Sequence, residues 1–403
     1  MPRIGFASAT LVRSALGFSF GLLIAVLASC GGGGGSEPTA AAPQQTASAF
    51  TQGTLAGFGS IIVNGIRFDD SAAAVVDDDD LPSTLARLAL GMQLEVESSV
   101  IDEASATAKA LRVRFGSQLT GPVATVDTVA GTITVLGQVV LVDSATLFDA
   151  ALNAGLSAVK PGAVIEVHGL TDAATGRITA TRIEAEGTVA AYKLRGTVAS
   201  LDIGAKTFKI GSATINYAGV AVVPAALANG KLVRVLLKTT QVAGQWVATA
   251  FNGGVPRPAE HADASVHGIV TAFTSGAAFS VNGLVVDAGA ATFPNGSANL
   301  KLGAMVQVKG SISNGVLMAT RVVVEGTHPA LLLLKFELHG AITAVDATAK
   351  TFTLKGVNVS YAGSVEFKGG GAADLAIGRK VEVEAKVVLT DRSMLQATKI
   401  EFD

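Results

Sequence analysis

The sequence predicts an all-β protein made of five tandem small barrels, preceded by a signal segment and a flexible tether. Three observations carry that expectation. A strand–turn–strand pattern that opens on glycine recurs at Gly53, Gly121, Gly196, Gly268 and Gly340, at separations of 68, 75, 72 and 72 residues. A period of that length marks a repeat architecture. Between turn clusters, β-branched and aliphatic residues alternate with polar ones, the pattern of half-buried strands. Finally, 49% hydrophobic residues with 46 Gly and 11 Pro in 403 suit many short strands joined by turns.

The elements of one repeat follow in order. The first strand alternates apolar residues, as in Val123 and Val126, Val198 and Leu201, or Ile342 and Val345, and an Asp follows in three copies (Asp127, Asp202, Asp346). Turn residues come next, then a second strand such as Thr207-Phe208-Lys209-Ile210 or Thr351-Phe352-Thr353-Leu354. A second hairpin turns on Asn64-Gly65 and Asn282-Gly283, a dipeptide that accepts positive φ at both central positions, and Gly137, Gly211 and Gly356 stand near the same place in the other copies. The middle segments 85–90, 150–159, 225–228, 298–302 and 372–377 read as a helical turn or short helix. Each is closed by a glycine suited to a helix C-cap: Gly91, Gly162, Gly230, Gly303 or Gly378. A fourth strand alternates strongly (Val164-Ile165-Glu166-Val167, Val381-Glu382-Val383-Glu384). The fifth repeats Ala180-Thr181-Arg182-Ile183, Ala319-Thr320-Arg321-Val322 and Ala397-Thr398-Lys399-Ile400, with Arg112 in the first copy and Ala250 in the third. Alternation makes that basic position an outward-facing one.

Five strands with a short helix between the third and fourth is the order of an OB-type barrel, which also removes exposed sheet edges. The expected units are residues 51–116, 117–187, 188–254, 265–326 and 331–403. At about 65 residues each core is thin, so neighbouring copies are expected to pack or share strand ends. Tyr192-Lys193-Leu194 and the leucine-rich run 331–336 read as starts of extended first strands rather than free linkers.

Residues 1–29 read as a signal peptide, with a basic start (Arg3, Arg13) and an apolar run at 15–28 too short to span a bilayer. Leu27-Ala28-Ser29-Cys30 resembles the lipobox of bacterial lipoproteins. The resemblance implies cleavage before Cys30, the single cysteine of the chain, and a lipid on its thiol. Gly31, which is not aspartate, implies by the same resemblance sorting to the outer membrane. Residues 30–50 form a small-residue tether of the flexible-coil type. Its glycine run lacks the Lys-Ser/Thr and the preceding strand of a phosphate loop. One cysteine also excludes an internal disulfide and a cysteine metal cage.

The segment from Gly57 to Asp69 (Gly-Phe-Gly-Ser-Ile-Ile-Val-Asn-Gly-Ile-Arg-Phe-Asp) resembles a bacterial envelope family, the domain of unknown function 5666. Such proteins combine a lipoprotein signal, a glycine-rich tether and tandem copies of one module. The resemblance extends over nearly all of residues 53–403, strongest in copies one, two, four and five. It implies a fold and a location but no catalytic residue.

The candidate chemistry is sparse. Asp77, Asp78, Asp79 and Asp80, with Asp69 and Asp70 upstream, could offer several oxygens to calcium, but the spaced ligands and glycine of a calcium loop are missing, so a solvated loop is expected. His267 and His339 precede opening glycines where other copies carry Gln52, Thr120 and Arg195, and are expected to face solvent. His168 stands alone in a fourth strand, and His261 and His328 fall in connectors. No metalloprotease, nucleophile-elbow or paired-cysteine motif occurs. Trp246 reads as core or rim packing before it reads as a sugar platform. A net charge of −2, 15% charged residues and 5% aromatics give neither a phosphate-tracking groove nor stacking platforms, so nucleic acid is excluded as a partner. The expectation is a non-enzymatic, lipid-anchored envelope protein without cofactor. It holds the membrane through Cys30 and binds or scaffolds an envelope protein or glycan; the alternative is a glycan or ligand binder using loops at a barrel mouth. An envelope hydrolase would require two carboxylates facing one cleft.

Overall fold

The computed structural model describes residues 48–172, 175–252, 260–326, 335–388 and 390–403. The signal segment, Cys30, nearly all of the tether, His328 and the 331–334 part of the leucine-rich connector lie outside the described residues.

Strand pairing closes on itself within residues 49–116. Strand Ala49–Phe58 pairs antiparallel with Ile61–Val63, which pairs with Ile66–Asp69. Ile66–Asp69 then pairs parallel with Thr107–Gly116, which lies antiparallel to Gln93–Ser98, and that strand returns to the first. A ring of five strands with a parallel third–fifth pair leaves no open edge.

The same cycle of pairings joins Leu119–Asp127, Thr132–Val135, Gln138–Leu141, Val164–Thr171 and Ile178–Glu186. It joins Tyr192–Thr197 with Ala199–Asp202, then Thr207–Ile210, Ala213–Asn216, Leu232–Leu237 and Trp246–Asn252. It recurs in His261–Ser275, Ala278–Val281, Leu284–Asp287, Met305–Ser313 and Val316–Gly326. It recurs again in Phe336–Asp346, Thr351–Leu354, Val357–Ser360, Lys380–Val387 and Met394–Phe402.

Each opening glycine has a steric reason. The first strand passes beneath the hairpin that joins the second strand to the third. A Cβ on Gly53 or Gly268 would meet the side chain of Asn64 or Asn282 at 2.1 Å, and one on Gly121 would meet Leu136 at 2.5 Å. On Gly196 it would meet Ile210 at 2.3 Å, and on Gly340 Lys355 at 2.9 Å. The hairpin above turns on a left-handed pair in four places: Asn64-Gly65, Leu136-Gly137, Asn282-Gly283 and Lys355-Gly356.

The glycine before each fourth strand adopts φ between +82° and +89° at Gly91, Gly162, Gly230, Gly303 and Gly378. Its N–H donates to the carbonyl two residues past the opening glycine: Gly91 to Leu55 at 3.0 Å, Gly162 to Val123 at 2.8 Å, Gly230 to Val198 at 2.8 Å, Gly303 to Val270 at 2.9 Å and Gly378 to Ile342 at 2.8 Å. The expected short helices are smaller than predicted. Single 3₁₀ turns stand at Leu85–Arg87, Ala150–Leu152, Gly155–Ser157 and Ala372–Asp374, while plain turns stand at 225–226 and 298–299. Segments this short do not repay helix nucleation, and i→i+3 turns suffice to cross the barrel end.

Strand ends are shared, but not only between neighbours. Ala49 to Gln52 run parallel to Asp263 to Val266, and Gly57-Phe58 to Glu337-Leu338, so the first ring pairs with the fourth and fifth. Lys193-Leu194 pair with Thr120-Leu119, joining the second ring to the third. Tyr192–Thr197 is thus the expected extended first strand. The core follows these links: Phe68, Val96, Phe336 and Phe352 share one apolar cluster, and Ile133, Ile165, Phe208 and Ile215 another. The fourth ring packs its own cluster against Phe50. Gln45–Asp403 is one compact unit in which the chain folds back on its first ring rather than running on as a string.

Candidate functional site

The chemistry that sequence spacing singled out is drawn into contacts between rings. Asp77 caps its own turn, its Oδ1 accepting from Asp79 N and Leu81 N at 2.9 Å each. That turn throws Asp78 and Asp79 against the third ring. Arg234, whose side chain is 4% exposed, pairs with both carboxylates, and its Nη2 donates to the Asp78 carbonyl at 2.6 Å. Lys193 Nζ reaches Asp78 Oδ1 at 3.1 Å, and Asn252 Nδ2 donates to Asp79. Asp80 turns the other way, to Arg112 at 2.6 Å and to Arg114, whose Nη1 holds Glu95 at 3.1 Å.

The acidic run is therefore not the solvated loop that its composition suggested. The oxygens a calcium ion would need are held by the protein's own cations and backbone donors. Burial alone would raise the Asp78 carboxyl, but the charges of Lys193 and Arg234 outweigh it and hold it below the usual range. Glu95, by contrast, is pushed up by burial despite Arg114.

Strand-five basic residues also depart from a uniform outward face. Arg182 is 13% exposed and donates to Leu90 O at 3.3 Å and Glu184 Oε1 at 3.0 Å, while Thr181 Oγ1 donates to Gly91 O at 2.6 Å. This seam joins the first two rings. Arg321 remains exposed, and Lys399 pairs with Glu401 at 2.6 Å. Two histidines expected in solvent have carboxylate partners, His267 with Glu325 and His339 with Asp403, both at 2.9 Å, and His267 is only 14% exposed. His261 is buried and stacks on Phe50. The Asp residues that end first strands are spent on turns: Asp127, Asp202 and Asp346 each accept from the backbone two or three residues on.

His168 is not alone. Its side chain is 1% exposed, and Glu166 and Glu184 flank it. Alternation puts Glu166 and His168 on one face of Val164–Thr171, and the antiparallel register sets Glu184 opposite Glu166. The pattern Glu-x-His facing Arg-x-Glu carried this signal, but reading the strands singly hid it. Burial would raise the Glu184 carboxyl, yet His168, when it is an imidazolium, and Arg182 bring it down to about 2.

Trp246 is half-buried, edge-on to Tyr192 at 5.7 Å, and packs against the cluster shared by the second and third rings. It also forms one wall of a cleft of about 270 Å³ between those rings, with Pro122, Leu136, Ser212 and Gln241 on the others. Arg392, from the fifth ring, crosses to the second, donating to Thr146 O at 3.0 Å and lying over Phe148. No helix among the described residues is long and apolar enough to cross a membrane.

Comparison with known proteins adds a family. No curated protein matches the chain. Among solved structures, the chain is similar to "drosophila Unr CSD456", at 15% identity over 49% of this chain and 86% of that one, with a TM-score of 0.16. Residues 120–184, 267–323 and 339–401 match the family described as Domain of unknown function (DUF5666). The matched segments fall on the second, fourth and fifth rings, whereas the Gly57–Asp69 motif lies outside them. Three segments of the chain thus match the DUF5666 family, consistent with tandem domains of it.

Proposed function

We propose that this chain is a lipid-anchored envelope protein in which five copies of one OB-like module, at 51–116, 117–187, 188–254, 265–326 and 331–403, form a rigid, non-enzymatic body for binding or scaffolding. The observation that carries the reading is Arg234, buried at 4% exposure between Asp78 and Asp79 of another ring. A charge sealed between modules fixes their geometry, and fixed geometry is what a scaffold needs and a loosely tethered array lacks. Asp77, Asp127, Asp202 and Asp346 are engaged in turns, and Asp78 and Asp79 in a seam. The lipobox-like Leu27-Ala28-Ser29-Cys30 supports attachment to the outer membrane through Cys30.

The test is metabolic labelling with palmitate in a bacterial host, followed by crosslinking of the intact envelope. Label on the native chain and none on Cys30→Ala is expected, with a reproducible set of crosslinked envelope neighbours. Unlabelled native chain contradicts the anchor, and turnover of an envelope substrate abolished by one point change contradicts the non-enzymatic reading.

The cleft beside Trp246 favours a second reading, a glycan or small-ligand binder. Thermal-shift screening against polysaccharides decides it. A shift lost in Trp246→Ala supports that reading, and no shift in any condition removes it.

A further inference from the structure

We propose that Glu166, His168 and Glu184 form a binding site for a first-row divalent metal ion of the zinc class. His168 Nδ1 lies 3.0 Å from Gly116 O. A carbonyl only accepts, so Nδ1 carries a proton, and in the neutral imidazole Nε2 then presents a lone pair. That Nε2 is buried and makes no hydrogen bond. It points between two carboxylate oxygens, Glu184 Oε2 at 3.3 Å and Glu166 Oε2 at 3.9 Å. A lone pair facing two anions is unfavourable without a positive charge between them.

The donor set fits such a charge. The three ligand atoms lie within 4.8 Å of one another. Ligands at the roughly 2.0–2.2 Å bond lengths of zinc, set tetrahedrally, sit about 3.4 Å apart. The supporting contacts also fit. The second oxygen of Glu184 accepts from Arg182 at 3.0 Å, and that of Glu166 from Thr120 at 3.4 Å, which leaves each Oε2 free to turn inward. The Nδ1–H on a backbone carbonyl is the arrangement that orients metal-bound imidazoles. One imidazole with two carboxylates suits zinc, cobalt or manganese, whereas calcium and magnesium favour oxygen-only shells. The carboxylates are 16% and 19% exposed, so an ion can reach them from solvent and keep a water as a further ligand.

The test strips the purified full chain with a chelator and titrates it with zinc chloride, and in parallel with cobalt chloride followed by visible absorption. One zinc per chain and four-coordinate cobalt bands are expected. Glu166→Gln and His168→Gln should weaken binding by about 100-fold or more, beyond the roughly 10–100-fold that losing a supporting partner costs. Glu166 lies near the surface, so its variant should keep the metal-free unfolding temperature of the native chain while losing the rise that zinc gives. Absence of saturable binding by the native chain overturns the proposal and leaves a protonated His168 as the charge between the carboxylates. Native affinity in either variant overturns it equally.

Discussion

Arg234 and Asp78 stand 156 residues apart in sequence and meet as an ion pair between two rings, with the guanidinium 4% exposed and the carboxylate 16%. The pair has no local origin. The turn capped by Asp77 offers Asp78, and the antiparallel register of Tyr192–Thr197 with Leu232–Leu237 brings Arg234 beside Lys193's strand.

Arg234→Met leaves Asp78 and Asp79 largely buried against a neutral side chain. Breaking one partner of such a pair costs about 3 kcal/mol or more. Urea unfolding should show a lowered midpoint, and Asp78→Asn combined with Arg234→Met should cost less than the two changes added.

Acid should act through the same seam. The Asp78 carboxyl lies below its unfolded value of 3.8, so its contribution is fully present above about pH 4 and lost as pH falls through the lower folded value. Unfolding temperature measured from pH 6 down to pH 2 should therefore drop less steeply below pH 4 in Asp78→Asn than in the native chain. Parallel curves would show that Asp78 is not held by Lys193 and Arg234.

The opening glycines should be intolerant for a packing reason. Gly121→Ala and Gly196→Ala place a methyl 2.5 Å from Leu136 and 2.3 Å from Ile210, beneath a hairpin with little room to rise. A loss of about 1–3 kcal/mol is expected, as for other overpacked cores. Gly187→Ala, where a Cβ meets nothing within 4 Å, should stay within about 0.5 kcal/mol of native.

Phe352 is 2% exposed at the centre of the cluster shared by the first and fifth rings. Phe352→Ala should cost about 3–5 kcal/mol by chemical denaturation. Because that cluster also contains Leu55 and Phe68, protection from proteolysis should fall in residues 49–116 as well as in 336–402.

What the sequence made legible was local. Asn64-Gly65 and Asn282-Gly283 turn where a left-handed pair is cheapest, and the alternation at Val381-Glu382-Val383-Glu384 is the observed strand. The glycines at 91, 162, 230, 303 and 378 suit helix caps by their place in the sequence. They do adopt positive φ, but they close single turns and bond to a distant carbonyl. Contacts between rings were not legible, because nothing near Phe50 or Gly57 in sequence encodes a parallel partner at Ala264 or Glu337. The acidic run misled for the same reason, since its cations lie in Lys193 and Arg234. His168 was within reach, needing only the register that sets Glu184 across from Glu166.

The most direct measurement is amide hydrogen exchange at Gly91, Gly162, Gly230, Gly303 and Gly378 in the native chain. Each of these N–H groups donates to a carbonyl of the first-strand segment of its own ring, so all five should exchange slowly, alongside core strand amides. Exchange at the rate of open loops at any one of them would show that its ring is not closed in this way and would contradict the account.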